Sequence, residues 1–175
     1  MDRLQPEFFE RNPATCAREL IGCVFVWKGR HGTIVETEAY AAEGDEACHT
    51  WFRPSARKFV AEKPAGAAYV YLNYGIHWLF NVLVKGGGAE GFVLFRAVET
   101  EGHPRLGAGP GKLTKLLGID GSAHGTPFLD EQDTGIFGRN EEPVILTGTR
   151  IGISRAKELP WRFGAAGSAA LSARF

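Results

Sequence analysis

The sequence has no CxxC pair, an odd number of cysteines and no apolar run near the length of a membrane span. Its three cysteines, Cys16, Cys23 and Cys48, cannot all pair, and none stands at zinc-ligand spacing. That argues against a disulfide frame and a zinc cage and points to a reducing compartment, with the cytoplasm as the expected location. A membrane helix needs about 20 consecutive apolar residues, and the opening MDRLQPEFFERNP lacks a signal-peptide pattern, so no membrane association is expected. A charge of one sign is also missing. Basic and acidic side chains number 20 each and the net charge is zero, which at first counts against nucleic acid as a partner.

The neutral total conceals a pattern. Residues 1–49 carry 5 basic and 9 acidic side chains, residues 50–116 carry 9 and 4, residues 117–148 carry 1 and 6, and residues 149–175 carry 5 and 1. If the two basic segments fold onto one side, they make a face that binds a polyanion. An apolar content of 44% with 23% charged residues is that of an ordinary globular protein, and one domain over residues 1–175 with a real core is expected.

Asn12-Pro13 reads as a helix cap followed by Pro at the first helical position, and ATCARELIG stops at Gly22. CVFVWK and GTIVETEAY read as strands joined across GRHG, and residues 41–66 as a polar, loop-like region. AAYVYLNYGIHWLFNVLVKGGGAEGFVLFRAVE holds three β-rich runs parted by NYG and KGGGAEG, an antiparallel meander. GPGKLTKLLGI fits a short helix between Pro110 and Gly118, residues 119–143 read as a long acidic surface loop, and VILTGTRIGIS as a further strand or pair.

The stretch VETEAYAAEGDEACH, residues 35–49, carries the most chemistry. In a strand, Glu36, Glu38 and Tyr40 share one face while Val35, Thr37 and Ala39 take the other. Two carboxylates about 7 Å apart on one face repel each other unless something sits between them. A solvated edge strand and a catalytic strand are both open readings. In YVYLNYG, Tyr69, Tyr71 and Asn73 share a face and Tyr74-Gly75 falls at the turn, so Tyr74 is either an ordinary turn tyrosine or a wedge that enters a stack of bases. Tyr40, His49 and Tyr71 are either core aromatics or a cage for a planar, electron-poor ligand, each π-face contact worth about 1–3 kcal/mol. A carboxylate beside such a cage suits a general base, a role worth about 10²–10⁴ in rate. Arg96 is either the cation that holds its water in line or half of a structural Arg–Glu pair. Glu36 with Glu38 as a glycoside-hydrolase pair is a weaker reading, because neighbours on one strand flank a sugar poorly from opposite faces.

Taken together, IVETEAY, DEACH, AAYVYLNYGIHWLFNV, VLFRAVE and GPGKLTKLLGI, in that order, resemble the 3-methyladenine DNA glycosylases of the alkyladenine type; FFERNPATCARELIG, RIGIS and PWRF extend the likeness over most of the chain. The resemblance implies a monofunctional glycosylase that flips alkylated purines, with deaminated ones as a further class, out of duplex DNA and hydrolyses the N-glycosidic bond to leave an abasic site. A damaged-DNA-binding relative with little turnover is the alternative. It implies Glu38 as general base with Arg96 beside it and Tyr40, His49 and Tyr71 around the flipped base, the His49 backbone N–H offering a bond to the base edge. Asn81 would guard against an extra exocyclic amino group, and Tyr74 would intercalate. Glu36 is left to a structural ion pair. No metal or organic cofactor, no lyase step and a monomer are expected. The expected fold is α+β: a mixed, mostly antiparallel sheet with a protruding hairpin and flanking short helices. Two departures stand out. Ala61-Glu62 replaces an apolar pair, placing an acid near the DNA approach, and the tail FGAAGSAALSARF lacks the arginine and bulkier residues the family tends to have after PWRF, with loss of a pocket wall or phosphate contact expected.

Overall fold

The structure, a computed structural model, describes residues 1–175, the side chain of Asp130 excepted. Helix α1 (Pro13–Glu19) starts where the Asn12 side chain accepts the Ala14 N–H and proline takes the first position. Strands β1 (Val24–Trp27) and β2 (Arg30–Ala41) follow as an antiparallel pair. Then come helices α2 (His49–Phe52) and α3 (Pro54–Glu62), the meander β3 (Ala68–Asn73), β4 (His77–Gly86) and β5 (Ala89–Glu99), and helix α4 (Pro110–Leu117). Three short strands, β6 (Gly135–Phe137), β7 (Ile145–Gly148) and β8 (Arg162–Ala165), complete an eight-stranded sheet. Its order is β3-β4-β5-β2-β1-β6, with β8 paired to β2 and β7, and every pairing among the named strands is antiparallel. This is an α+β fold with a projecting β3–β4 hairpin.

Three segments differ from expectation. Residues 41–66 are not mostly loop: α3 begins on Pro54 and buries Ala56, Phe59 and Val60, a helical spacing masked by the charges around it. Residues 119–143 are not a surface loop: Phe128 and Leu129 lie in the main core and β6 pairs with β1. Of VILTGTRIGIS, only Ile145–Gly148 is strand; the rest runs irregularly, and the PWRF region supplies β8 instead.

The sheet separates two kinds of interior. One face carries the main core, where Phe25, Phe80, Phe95 and Phe128 meet Leu20 of the α1 region and Leu113 and Leu117 of α4. Strand alternation sends the residues between them to the other face. There Phe59 and Val60 of α3 pack on Tyr69, Leu83 and Phe92, with Tyr40 and Tyr71 at the margin.

Alternation alone would misplace one residue. The β2–β5 register slips twice, leaving Val35 unmatched between Ile34↔Val98 and Glu36↔Ala97, and Arg96 unmatched between Glu36↔Ala97 and Thr37↔Phe95. Bulges of this kind bend a strand and re-aim side chains. Val35 thus leaves the main core for a small cluster with Ala97, Ala108 and Ala170 rather than sharing a face with Thr37 and Ala39. Arg96 is aimed at both carboxylates of β2.

Candidate active site

Four adjacent strands, β3, β4, β5 and β2, present one face to a cavity of about 750 Å³, a size suited to a small-molecule or nucleotide guest. Register brings the residues together: Tyr69 stands opposite Asn81, Asn81 opposite Leu94, Leu94 opposite Glu38, and Phe92 opposite Tyr40. The roof is not sheet. It comes from residues 46–49 at the start of α2 and from Ile151–Arg155, which follow β7.

Glu38 lies at the bottom and is fully buried. Its Oε2 accepts the Tyr40 hydroxyl at 2.7 Å, its Oε1 accepts the Ile151 N–H at 2.7 Å, and Arg96 Nη1 approaches Oε1 at 3.4 Å. The carboxylate is not itself part of the cavity wall; Tyr40, Arg96 and Ile151, which bind it, are. Glu36, also fully buried, is saturated differently. Its Oε1 accepts Arg96 Nε at 3.0 Å, Arg162 Nε at 2.8 Å and the Ser172 hydroxyl at 2.8 Å, while Oε2 accepts the Ser172 N–H at 2.6 Å. An arginine therefore sits between the two acids, which removes the repulsion their spacing implies, and β2 is an interior strand rather than a solvated edge. With Glu36 sealed by the tail, the pair does not flank an open cleft as a glycoside hydrolase needs. The tail thus has a role of its own. Ser172 closes over Glu36, and Arg162 binds the carbonyls of Ala173 and Arg174 with its guanidinium over the Phe175 ring.

The expected aromatic residues converge. His49 and Tyr71 have ring centroids 4.3 Å apart, and Tyr40 lines the same cavity. Burial, assisted by the nearby Arg53 cation, lowers the His49 pKa to about 4, so the ring is neutral near pH 7, with Nδ1 bonded to the Tyr69 hydroxyl at 2.9 Å. Burial pushes the Tyr71 and Tyr69 phenols up to about 12 and raises Tyr40 well above its ordinary value, with the Glu38 charge and hydrogen bond adding to the shift. These phenols stay protonated near pH 7, and that of Tyr40 donates to Glu38. Asn81 is buried in the wall, its Nδ2 donating to the Tyr69 carbonyl at 3.1 Å.

Tyr74 sits at the tip of the β3–β4 hairpin, 86% exposed, where the Ile76 N–H bonds back to the Asn73 carbonyl at 3.0 Å. Both central residues have positive φ, +50° for Tyr74 and +69° for Gly75, as type I′ hairpin turns require. Trp51 and Phe52 of α2, both more than half exposed, stand with Tyr74 among the cavity-lining residues. An exposed ion pair, Glu46 to Arg155 at 3.0 Å, joins the two roof segments.

Several participants were not singled out from the sequence. Tyr69 and Phe92 line the cavity, and alternation from Tyr71 and from Arg96 could have found them. Asp45 and Arg150 form a bidentate ion pair at 2.6 and 2.9 Å beneath the roof, and no local pattern joins residues so far apart in the chain. Burial works against the charge of Arg150, but the bonds and charge of Asp45 outweigh it and raise its pKa. Glu62, the unexpected acid, lies exposed on α3 facing Lys58 at 3.8 Å and does not line the cavity.

The family model for methylpurine-DNA glycosylase (MPG) matches residues 7–169. A protein of Rhodopseudomonas palustris strain HaA2, named "Putative 3-methyladenine DNA glycosylase", is 42% identical over 185 residues, covering 98% of this chain and 91% of the relative. Proteins of the same name from Bradyrhizobium diazoefficiens and Chlorobaculum tepidum are 41% and 38% identical, each covering 98% of this chain and 92% and 91% of the relative. A match over nearly the whole length, on a sheet whose one face holds a buried glutamate, an arginine and an aromatic cavity, leads to one conclusion: the chain belongs to the methylpurine-DNA glycosylase family.

Proposed function

We propose that the protein is a monofunctional DNA glycosylase that removes alkylated purines, and deaminated ones as a further class, from duplex DNA as a monomer, residues 1–175 acting as one domain. The observation that carries this is Glu38 bound to Tyr40 and Arg96 directly beneath a cavity whose walls are aromatic. A base inside a duplex is out of reach of such a floor, so the nucleotide rotates out, at a cost of a few kcal/mol that is least for a damaged pair. Tyr74 fills the gap left in the stack. Tyr40, His49 and Tyr71 receive the base, and a purine alkylated on a ring nitrogen is cationic, which suits it to neutral aromatic faces. Asn81 occupies the space that an extra exocyclic amino group needs.

In the chemical step the N-glycosidic bond breaks with its electron pair going to the base, which neutralises the alkylated ring. Positive charge develops on the sugar close to the Glu38 carboxylate. Water adds to the sugar carbon and its proton passes to Glu38, with Arg96 holding the carboxylate and the water in line. Access to the carboxylate requires Tyr40 to turn, since its hydroxyl holds Oε2. Among the described residues no lysine lines the cavity, which supports a reaction that ends at an intact abasic site with no lyase step. Arg105, Lys112 and Lys115 line a second, shallower groove along α4, whose first residue, Pro110, belongs to the cavity wall. These cations suit the phosphates that flank the lesion.

Full burial of Glu38 in the free protein favours a second reading, a damaged-DNA-binding relative with little turnover. One experiment separates the two. The protein is incubated with duplex DNA carrying a single 7-methylguanine or hypoxanthine, and free base and strand breaks are followed with and without hot alkali. Release of base with breaks only after alkali is the expected result. Lesion-specific binding without release selects the second reading, and neither binding nor release refutes both.

A further inference from the structure

One buried ion pair has no part in the chemistry above. Arg150 and Asp45 have side chains 0% and 1% exposed. Arg150 Nη1 donates to Asp45 Oδ2 at 2.6 Å and to the Ala39 carbonyl at 3.0 Å, while Nη2 donates to Asp45 Oδ1 at 2.9 Å and to the Ala156 carbonyl at 3.1 Å. Asp45 in turn accepts the Ala41 N–H at 3.1 Å and the Ala47 N–H at 3.0 Å, and its carbonyl accepts the Cys48 N–H at 3.0 Å. The pair thus ties the end of β2 to the chain that leads into His49 and to the segment that roofs the cavity.

Its position relative to the floor of the cavity is more telling than its bond count. The residue after Arg150 is Ile151, whose N–H reaches Glu38 Oε1 at 2.7 Å. A planar peptide links the two, so fixing Arg150 fixes the direction of that N–H. The guanidinium also lies 4.6 Å from the Tyr40 ring centroid, and the Tyr40 hydroxyl holds the other Glu38 oxygen. Two of the three groups that bind the carboxylate, the Ile151 N–H and the Tyr40 hydroxyl, therefore lean on one side chain. Stability alone does not call for a buried pair here, because apolar residues of similar volume serve a core at least as well, and Arg150 Nε is buried without a partner.

We infer that Arg150 and Asp45 are positioning residues for base excision: their ion pair clasps the roof segment to β2 and holds the Ile151 N–H and the Tyr40 ring in register with Glu38. Neither touches the substrate. The inference rests on the proposed glycosylase function, and the test keeps the two apart.

The variants are Arg150→Lys, Asp45→Asn and the double Asp45→Asn/Arg150→Met, each measured for melting temperature, affinity for lesion duplex and single-turnover rate per folded site. Lysine keeps the charge beside Asp45 but lacks the fork that spans Ala39 and Ala156. Arg150→Lys is expected to stay folded and bind lesion DNA as wild type does, with the rate per site down about ten- to a hundredfold, the loss of one or two hydrogen bonds to a charged group. Asp45→Asn is expected to lower both melting temperature and rate. The double variant, with no lone buried charge, regains melting temperature but not rate. That dissociation is something a merely structural pair would not produce. Arg150→Lys or the double variant turning over at the wild-type rate overturns the clasp. Wild-type protein that releases no base overturns the glycosylase reading instead.

Discussion

Tyr74 gives opposite expectations for stability and for activity, the first calculable from its backbone and the second from its ring. With φ at +50° it occupies left-handed space that side chains with a Cβ enter at a cost of about 1–2 kcal/mol. It is followed by Gly75 at +69°, and the type I′ turn they form is the one that prefers Asn-Gly. The tyrosine ring repays none of this in packing, since the residue is 86% exposed. Tyr74→Asn is therefore expected to stabilise the protein by about 1 kcal/mol, which raises the melting temperature of a chain of this size by roughly 2–4 °C. The same change removes the ring proposed to fill the gap in the DNA stack, worth about 1–3 kcal/mol, so lesion binding and the apparent excision rate at limiting enzyme fall by about 5- to 150-fold. Calorimetry and single-turnover excision on a lesion duplex, with a fluorescent base analogue beside the lesion to report flipping, read both arms. A variant that is no more stable and flips as well as wild type would show that the residue is an ordinary turn tyrosine and refute the reasoning.

Further expectations concern charge. His49, with its pKa lowered to about 4 by burial and by Arg53, and His124, lowered mainly by burial, resist protonation in the fold but titrate near 6.5 when unfolded. Between about pH 4 and 6.5 the unfolded chain binds more protons, so stability is whole above that window and declines as pH falls through it. Melting curves across pH for wild type and His49→Gln should show the slope reduced in the variant. Glu36→Ala removes the carboxylate that Arg96 and Arg162 share, leaving two buried cations against one acid, and should cost about 3–5 kcal/mol, a fall of roughly 6–20 °C in thermal unfolding. Lys112→Ala with Lys115→Ala should lower the slope of log affinity against log salt by about 1.8 for a lesion duplex, and an unchanged slope would remove the α4 groove from the DNA path.

How much of this was legible in the sequence depends on distance along the chain. Alternation within each strand put Glu38 with Tyr40, Tyr69 with Tyr71, and Tyr74 on a turn, because strand periodicity is a local property. The meander was legible for the same reason, its turns being written in NYG and KGGGAEG. The double bulge that re-aims Arg96 was not, since it depends on how two strands pair rather than on either alone. Helix α3 escaped because its buried positions are only three and stand among charges, and β6 because three residues gain their strand character from a neighbour. The Arg150–Asp45 clasp joins residues 105 apart and leaves no local trace. Zero net charge is a poor guide for a related reason: the groove along α4 collects three cations from the basic middle of the chain, whatever the total.

The carboxylate at position 38 carries the proposed chemistry. Its direct test is single-turnover excision from a lesion duplex by wild type and by Glu38→Gln, with the affinity of each for the same DNA. Glutamine can keep an acceptor toward the Ile151 N–H and place its amide on the Tyr40 oxygen, so the fold is retained. Base release is expected to fall by about 10²- to 10⁴-fold, with affinity for lesion DNA equal or higher now that a negative charge is gone from the site. A glutamine variant that releases base at the wild-type rate would contradict the assignment.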